Sequence, residues 1–288
     1  MKKINPLVSV IMNCYNGERY LQEAIDSVYA QTYKNWEIIF WDNSSTDKSA
    51  KIAKTYDDKL KYFKSNETTI LGKARVEASK MANGDYLAFL DVDDLWLEKK
   101  LEKQVNIFEE SQAGVGIVYG RTEVIYEVPS KYDFIKGGDN LLPEGNIFPE
   151  LVKANFIVFS SAMVDKKKFN LQGGFPEHFV NSTDHWIFLH LAKEYKCLAL
   201  QEVCCKYRVH QSNLSHNQRV IAVEESIDIL KSMSPNKLII NGLKYQYVSL
   251  IIEKFRAKKY FDFFSILIRK KVFFMLLARI INKIIKTQ

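Results

Sequence analysis

An acidic cluster, Asp91-Val92-Asp93-Asp94, directly follows an apolar run of the sequence. Two carboxylates at positions i and i+2 after a buried strand can turn into one loop and share a divalent cation. Mg²⁺ and Mn²⁺ in proteins take one or two carboxylates together with phosphate oxygens and water. The competing interpretation is a solvated turn in which Asp94 caps a helix that begins at Leu95. The Asp-x-Asp pattern by itself fits both interpretations.

Polar residues follow two earlier apolar runs as well. The run 7–12 ends in the polar turn 13–17, and the run 36–41 ends at Asp42. In open α/β sheets, ligands bind outside the carboxyl ends of the strands, where the strand order reverses. If these runs are neighbouring parallel strands, their end residues and the acidic cluster line one pocket.

The spacing of apolar residues predicts the elements that position these groups. Helical spacing occurs over 21–28 and 97–108, and strand-like runs lie at 7–12, 36–41 and 85–90. Strands that alternate with helices predict an α/β domain with a largely parallel sheet in this part of the chain.

The remaining sequence has a less regular pattern. It predicts strands over 117–119 and 123–128 and a long loop over 129–145. Helical sequence rich in Ile, Leu and Lys then replaces the mixed pattern. We therefore expect a catalytic domain over 1–215 and a helical C-terminal extension over 216–288.

Composition narrows the class of protein. The chain has 288 residues, of which 47% are hydrophobic and 26% are charged, with a net charge of +7. This balance is typical of a globular protein and excludes disordered, collagen-like and small disulfide-rich chains. Four cysteines without paired spacing favour reduced thiols in a cytosol-like compartment. The first apolar run is too short for a signal peptide or a membrane span.

One ordered set of motifs runs through the first 215 residues. It consists of VSVIMNCYN at 8–16, SVYAQTY at 27–33, WEIIFWDNSSTD at 36–47, GKAR at 72–75, GDYLAFLDVDD at 84–94, GGFPE at 173–177, TDHW at 183–186 and YRVHQSNLS at 207–215. In order and spacing this set resembles the family 2 inverting glycosyltransferases of the GT-A type. The ordered set is more specific than any single motif.

The resemblance implies a fold, an activity and partners. The fold would be GT-A, a Rossmann-like mixed sheet flanked by helices. The activity would be metal-dependent transfer of a sugar from a nucleotide-diphosphate donor, most simply a UDP-sugar, with Mn²⁺ or Mg²⁺ as cofactor. The acceptor would be a hydroxyl of a glycan or lipid-linked saccharide in cell-surface polysaccharide synthesis. Such an enzyme would work in the cytoplasm, including at the inner face of the membrane.

The resemblance also implies a donor site and a metal site. The implied nucleotide-sugar-binding residues are Asn13, Cys14, Tyr15, Glu18, Asp42, Arg75, Asp91, Val92 and His210, and the implied metal ligands are Asp93 and Asp91. A structural alternative stays open for Asp42, which would instead stabilise the turn at Ser44. The chain departs from the family at three places, of which two lie here: Asn13-Cys14 for the common Pro-Thr and Asn43 for a frequent second Asp.

Asp184 matches the family's catalytic base, the carboxylate that removes the proton from the acceptor hydroxyl. From the residues alone it is equally an N-cap for a helix that begins at Trp186. Thr183 stands where the family commonly has Glu, so the implied base lacks its usual acidic neighbour. Arg75 would contact the diphosphate, since guanidinium groups suit phosphate. Its alternative is a helix-surface arginine paired with Glu77 or Glu18.

The segment 260–288 carries six basic residues and one acidic residue among bulky apolar ones. This pattern fits a helix that lies on an anionic membrane surface. It equally fits a helix that packs its apolar face on the catalytic domain.

Three other functions compete with glycosyl transfer. A catalytically silent nucleotide-sugar binder or membrane-docked scaffold would explain Thr183. A nucleotidyltransferase would need a Gly-rich phosphate loop, and the turn 13–17 contains a single glycine. Nucleic-acid binding is disfavoured because the basic residues concentrate in the apolar tail and no nucleic-acid-binding motif occurs.

Overall fold

The computed structural model describes residues 5–111, 114–127, 133–257 and 275–276. The strands are β1 Val8–Cys14, β2 Trp36–Asp42, β3 Leu60–Lys64, β4 Tyr86–Phe89, β5 Leu95–Trp96, β6 Val115–Tyr126, β7 Phe134–Lys136, β8 Met163–Asp165 and β9 Lys196–Val209. The helices are α1 Leu21–Tyr29, α2 Ser49–Ala53, α3 Leu71–Lys80, α4 Lys100–Glu110, α5 Phe148–Leu151, α6 Lys166–Leu171, α7 Thr183–Glu194, α8 Leu214–Asn217, α9 Arg219–Ser232 and α10 Lys237–Arg256.

Strands β3, β2, β1 and β4 lie side by side in that order and run parallel. In this register Cys14 lies opposite Asp42, and Ile11 lies opposite Phe89. The carboxyl ends of β1, β2 and β4 therefore share one edge of the sheet. Asp91 comes two residues after Phe89, so the acidic cluster emerges at this edge, as the sequence pattern predicts.

The rest of the sheet makes it mixed. Strand β8 is antiparallel to both β4 and β6, while the long strands β6 and β9 pair in parallel along most of their length. Strand β5 adds to the far side of β9, and β7 pairs with β6. A mixed sheet flanked by helices agrees with the predicted fold class.

Helices cover both faces of the sheet because alternate strand residues are apolar on both sides. Ile11 and Ile39 belong to one buried cluster, together with residues of α3, α5, α6, α7, α9 and α10. Val10 and Ile38 belong to the second cluster, together with residues of α1, α2 and α4. Two-sided burial is typical of parallel α/β sheets and accounts for the continuous apolar runs in the sequence.

Three sequence-based expectations differ from the structure. Strand β6 is continuous, whereas the sequence predicts two strands over 117–119 and 123–128. The register between β6 and β9 shifts near Gly120, and this irregularity interrupts the alternation of apolar residues. The predicted loop over 129–145 contains strand β7. Asp94 does not cap a helix at Leu95, since Leu95–Trp96 is strand β5 and the next helix begins at Lys100.

The predicted helical extension is helical where the structure describes it, and α9 and α10 pack into the same buried cluster as α7. Leu276 is 7% exposed and packs against Val248 and Ile251 of α10. The rest of the segment 260–288, on which the membrane and packing alternatives depend, lies outside the described residues. Within the described part of the chain, no helix combines the length and apolar character needed to cross a membrane.

Candidate active site

A cleft of about 430 Å³ opens at the edge of the sheet where β1 and β4 end. Its lining comes from the turns after these strands, from α3, from the start of α7 and from the segment after β9. The cleft is lined by Asn13, Tyr15, Asn16, Gly17, Arg19, Tyr20, Leu71, Arg75, Asp91, Val92, Asp93, Phe159, Asn181, Asp184, Tyr207, His210, Ser212, Asn213 and Leu214.

The cleft brings together most of the site residues predicted from the sequence. Those that line it are Asn13, Tyr15, Arg75, Asp91, Val92, Asp93, Asp184 and His210. Three predicted residues, Cys14, Glu18 and Asp42, are not part of its lining. Residues from the first, second and last thirds of the catalytic segment thus meet in one place.

Asp42 lies behind the cleft, where its side chain is fully buried. Its Oδ1 accepts a hydrogen bond of 2.7 Å from the backbone N–H of Ser45, and its Oδ2 accepts one of 2.6 Å from the Tyr62 hydroxyl. Ser44, inside this turn, has a φ of 66°, in the left-handed region that non-glycine residues seldom adopt. The structure thus gives Asp42 the turn-stabilising role, and its contact with a nucleotide base stays a prediction.

Cys14 is the last residue of β1 and Glu18 lies in the turn that follows, which is bonded to the end of the turn after β2 and to the start of α2. The backbone N–H of Gly17 donates to the Ser49 hydroxyl at 3.0 Å, and Glu18 Oε2 accepts from the backbone N–H of Lys48 at 2.8 Å. Burial raises the pKa of the Cys14 thiol. Cys14 and Glu18 therefore lie next to residues that line the cleft, without being part of its lining.

Asp93 faces the cleft beside a histidine from the other end of the motif set. Its Oδ2 lies 2.8 Å from Nε2 of His210 and accepts a hydrogen bond of 3.1 Å from Nδ2 of Asn213. The His210 ring lies beside the Tyr20 ring, with 5.0 Å between centroids. The segment after β9 therefore closes onto the acidic cluster at Asp93.

Asp91 sits among charges of both signs. Withdrawal from water raises the pKa of Asp91 to about 6; the Arg75 guanidinium opposes this rise, and the neighbouring Asp93 and Asp184 carboxyls reinforce it. Its Oδ1 lies 3.2 Å from Arg75 Nη2. Three carboxyl groups therefore lie close enough to repel one another, an arrangement that a bound cation relieves.

Asp94 is buried and fixes the loop that carries the acidic cluster. Its Oδ2 accepts a hydrogen bond of 2.5 Å from the Ser160 hydroxyl, and its Oδ1 accepts one of 3.0 Å from the backbone N–H of Arg208. Burial raises the pKa of Asp94 well above its usual value, and the Asp93 and Asp91 carboxyls add to this effect. Arg208 also donates from Nε to the carbonyl oxygen of Asp93 at 3.0 Å.

Arg75 is the buried cation of the cleft, with 5% of its surface exposed. Its Nη1 donates to Thr183 Oγ1 at 2.6 Å, and its guanidinium carbon lies 3.7 Å from the centre of the Phe159 ring. Its Nε has no hydrogen-bond partner among the residues that the structure describes. Arg75 joins the loop after β4 to the start of α7, so it is not the surface arginine of the structural alternative.

Helix α3 can bring Arg75 this close because of Gly72. A Cβ atom at this position would lie 2.3 Å from the carbonyl oxygen of Pro176 and 2.7 Å from that of Phe179. The backbone N–H of Gly72 donates to the Phe179 carbonyl at 2.9 Å. The first turn of α3 is thus in direct backbone contact with the segment that leads into α7.

Asp184 lies in the first turn of α7, and the N-cap residue of this helix is Ser182. The N-cap alternative for Asp184 is therefore wrong, because the helix begins before it. Its Oδ2 accepts a hydrogen bond of 2.8 Å from Nδ2 of Asn155. Asp184 and Asp93 both belong to the lining of the cleft.

The residues at Asp93 suit a divalent metal ion. A carboxylate oxygen and an imidazole nitrogen lie 2.8 Å apart there, and Asp91 is close by. Carboxylate oxygens suit both Mg²⁺ and Mn²⁺, so this donor set is compatible with either ion. In the described part of the chain, no group of three or more His, Cys, Asp or Glu side chains is placed so that it could hold a metal ion. An ion bound here would need further ligands, as is usual for ions shared with a diphosphate.

Sequence reasoning missed several residues that line the cleft or contact its lining. Asn213 and Arg208 lie in the motif YRVHQSNLS but carried no role, and both contact the acidic cluster. Asn155 lies in the weakly patterned middle of the chain and has no sequence signal. Tyr20 follows the turn after β1, and its hydroxyl is buried without a hydrogen-bond partner in the described residues.

Known proteins resemble this chain in sequence. The sequence profile of Glycosyl transferase family 2 matches residues 9–171. The chain is 30% identical over 251 residues to the UDP-Glc:alpha-D-GlcNAc-diphosphoundecaprenol beta-1,3-glucosyltransferase WfgD of Escherichia coli, a match that covers 86% of this chain and 94% of that enzyme. It is also 43% identical over 109 residues to the putative glycosyltransferase EpsE of Bacillus subtilis, covering 36% of this chain and 39% of that protein.

Solved structures resemble the chain in fold. S. aureus TarS 1-349 in complex with UDP-GlcNAc matches 90% of this chain and 72% of its own, with a TM-score of 0.64 and 15% identity. The mannosyltransferase PcManGT from Pyrobaculum calidifontis, in complex with GDP-Man and Mn²⁺, matches 98% of this chain and 86% of its own, with a TM-score of 0.61 and 17% identity. These similarities confirm the predicted GT-A fold.

Proposed function

Because the chain belongs to glycosyl transferase family 2, we propose that it transfers a sugar from a UDP-sugar to an acceptor hydroxyl with inversion at the anomeric carbon. The family membership bears out the resemblance drawn from the ordered motifs. The observation that carries the mechanistic proposal is that Asp93 and Asp184 line one cleft, in which Arg75 joins the loop after β4 to the start of α7.

The donor would lie along the wall formed by the turns after β1 and β4. Tyr15 is 55% exposed at this wall and offers an aromatic face to a base. Asn13 has a buried Nδ2 without a hydrogen-bond partner in the described residues, so it can donate to a bound nucleotide. Arg75 would contact the diphosphate, because it is the buried cation nearest to Asp91 and its Nε is unpaired.

Asp93, with Asp91 and His210, would hold the divalent ion of the donor complex. When bound, such an ion supplies positive charge to the diphosphate as the sugar departs. His210 and Asn213 already contact Asp93, so the segment after β9 would close over the phosphates. We expect Mn²⁺ or Mg²⁺ in this role, and Mn²⁺ is the ion in the PcManGT complex with GDP-Man.

Asp184 would act as the base. It takes the proton from the acceptor hydroxyl while that oxygen attacks the anomeric carbon from the face opposite to the diphosphate. The bond from the anomeric carbon to the diphosphate oxygen breaks, its electron pair leaves with UDP, and the configuration inverts. Asn155 orients the carboxylate through its bond to Oδ2.

The acceptor would be a lipid-linked saccharide. The Escherichia coli relative is named for an α-D-GlcNAc-diphosphoundecaprenol acceptor and covers most of this chain. An acceptor of this kind would require the enzyme to work at the inner face of the membrane. The basic, apolar segment 260–288 would supply the contact with anionic lipid, and 1–215 would form the catalytic domain.

The proposal is tested by UDP release. Purified protein is incubated with a panel of UDP-sugars and with α-D-GlcNAc-diphosphoundecaprenol, in Mn²⁺, in Mg²⁺ and in EDTA. We expect UDP release from one of the sugars, with Mn²⁺ most effective and EDTA abolishing it. Binding of UDP without turnover of any donor, even to water, would favour the silent binder instead. Undiminished release in EDTA would contradict the metal proposal.

Asp93→Ala sharpens this test. The variant should lose the gain in UDP affinity that Mn²⁺ produces, measured by isothermal titration with and without the ion. Asp58→Ala is the matched control, because Asp58 is exposed and is not part of the cleft lining. Equal Mn²⁺ effects in both variants would show that Asp93 does not hold the ion.

A further inference from the structure

Glu225 of helix α9 occupies the N-terminal end of helix α7. Its carboxylate accepts hydrogen bonds from three successive backbone N–H groups, those of Val180 at 2.7 Å, Asn181 at 3.1 Å and Ser182 at 2.7 Å. The free N–H groups and the dipole at a helix N-terminus both favour an anion there. Glu225 thus binds the N-cap residue Ser182 and the two residues that precede it, and caps the approach to α7 from another helix.

This cap replaces a local one. The N-cap residue Ser182 makes no side-chain capping bond within α7. Its hydroxyl instead donates to the carbonyl oxygen of Ala222, on α9, at 2.9 Å. The start of α7 thus depends on α9 for contacts that most helices make with their own neighbouring residues.

Helix α9 also holds α7 on the other side of Asp184. Nδ1 of His185 lies 2.9 Å from the Ser226 hydroxyl, and His185 is 2% exposed. Residues on both sides of Asp184 are therefore fixed to two consecutive residues of α9. Asp184 itself points away from α9, into the cleft and toward Asn155.

We infer that Glu225 is a positioning residue for the base Asp184, so that helix α9 is part of the catalytic machinery. This inference rests on the proposed function. Glu225 lies outside the region 9–171 that matches the family and outside the catalytic segment expected from the sequence. It does not touch the cleft, and it acts by setting where the first turn of α7 begins.

Glu225→Gln tests the inference. Glutamine keeps the side-chain length but places an amide NH₂ against backbone donors, so at least one of the three bonds is lost. We expect kcat for UDP release to fall about 10- to 100-fold, the effect of a small displacement of a reacting group. The affinity for UDP with Mn²⁺ should change less than about twofold, because the donor wall makes none of these contacts.

Two further variants separate positioning from general stability. Glu224→Gln is the matched control: Glu224 is the neighbouring carboxylate, bound to Lys254 at 2.9 Å on the surface, and its loss should leave kcat unchanged. Glu225→Asp keeps the charge but withdraws it by one methylene, so its kcat should lie between those of wild type and Glu225→Gln. If the glutamine variant does not fold, the aspartate variant is tested with the same measurements.

Three results would overturn the inference. These are an unchanged kcat in Glu225→Gln, a parallel loss of UDP affinity and kcat, or equal effects of Glu224→Gln and Glu225→Gln. Amide hydrogen exchange at residues 180–182 checks the cap without reference to activity, and we expect faster exchange in Glu225→Gln. Wild-type protein that binds no UDP would instead contradict the proposed function, while the exchange result would still report on the cap.

Discussion

The two sides of the cleft are built in different ways. The side proposed to hold the donor consists of the turns after β1 and β4, supported by the turn after β2, and these three strands are parallel neighbours. The side proposed to hold the acceptor is the start of α7, which Asn155 and Glu225 hold in place from separate parts of the chain. Pairing between adjacent strands fixes the first side, whereas contacts between distant parts of the chain fix the second.

This difference has a consequence for function. The turn after β1 is hydrogen-bonded to the segment after its neighbouring strand β2, for example from Gly17 to Ser49. Such turns keep their shape as long as the sheet does. The first turn of α7 moves if α3, α5 or α9 moves. The two sides should therefore respond separately to substitution, with donor affinity lost on one side and turnover lost on the other.

Asp184→Asn should give the largest separation. Asparagine keeps the shape and the contact with Asn155 but cannot take the acceptor proton. We expect kcat to fall by about 10²- to 10⁴-fold, the usual contribution of a general base. Titration with UDP and Mn²⁺ should give wild-type affinity. Loss of UDP affinity together with turnover would mean that the base is misassigned.

Gly72→Ala should disturb both sides at once, because Gly72 is where α3 meets the segment before α7. The added Cβ would overlap three backbone carbonyls and force the helix or that segment to shift. Overpacking of this kind costs about 1–3 kcal/mol of unfolding free energy. The urea concentration at the midpoint of unfolding and the rate of UDP release should both fall. Ala74→Gly in the same helix should leave UDP affinity intact. A Gly72→Ala variant with wild-type stability would show that the contact relaxes freely.

Thr183 variants should measure the link between the two sides. Thr183→Val leaves Nη1 of the buried Arg75 without its acceptor, which costs about 1–3 kcal/mol when a buried donor is unsatisfied. Thr183→Ser keeps the acceptor and should behave as wild type. We expect weaker UDP binding and slower release only in the valine variant. If serine and valine behave alike, the hydroxyl does not hold Arg75.

Glu37→Gln should have the smallest effect on transfer, because Glu37 lies in β2 away from the cleft. Burial disfavours its charge, but bonds from Lys61, Ser9 and the backbone N–H of Asn83 outweigh it and lower the pKa of Glu37. A carboxyl whose pKa is lowered by folding stabilises the fold at pH values above its unfolded-state pKa of about 4.3. This gain disappears as the pH falls through the folded-state pKa. In urea unfolding, the wild type should therefore be more stable than the variant at neutral pH, and the difference in unfolding free energy should shrink in acid. A difference independent of pH would contradict the assignment.

The same contrast explains what the sequence could predict. Strands β1, β2 and β4 have continuous apolar runs and end in polar turns, so the donor edge and its acidic cluster followed from pattern. The resemblance implies that Asp42 contacts the nucleotide base, and this contact stays a prediction. The hydrogen bonds of Asp42 with Ser45 and Tyr62 depend on the fold, and no sequence pattern reveals them. Asp184 could be named only through the resemblance, because a carboxylate in a first helical turn is common.

Long-range packing accounts for what pattern could not predict. Glu225 is one of many charged residues in a helix, and its role depends on the angle at which α9 crosses α7. Arg75 reaches Thr183 across 108 positions of sequence, through a contact that exists only because Gly72 admits a carbonyl. The sequence pattern does not predict strand β9, because its register with β6 shifts and the shift interrupts the alternation of apolar and polar residues.

A crystal structure with UDP and Mn²⁺ tests the central claim most directly, since it measures where the ion and the diphosphate lie. We predict Mn²⁺ at coordination distance, about 2.1 Å, from a carboxylate oxygen of Asp93. The diphosphate should lie beside Arg75, with the Asp184 carboxylate across the cleft and not bound to the ion. An ion held by Asp184, or UDP bound outside this cleft, would contradict the account.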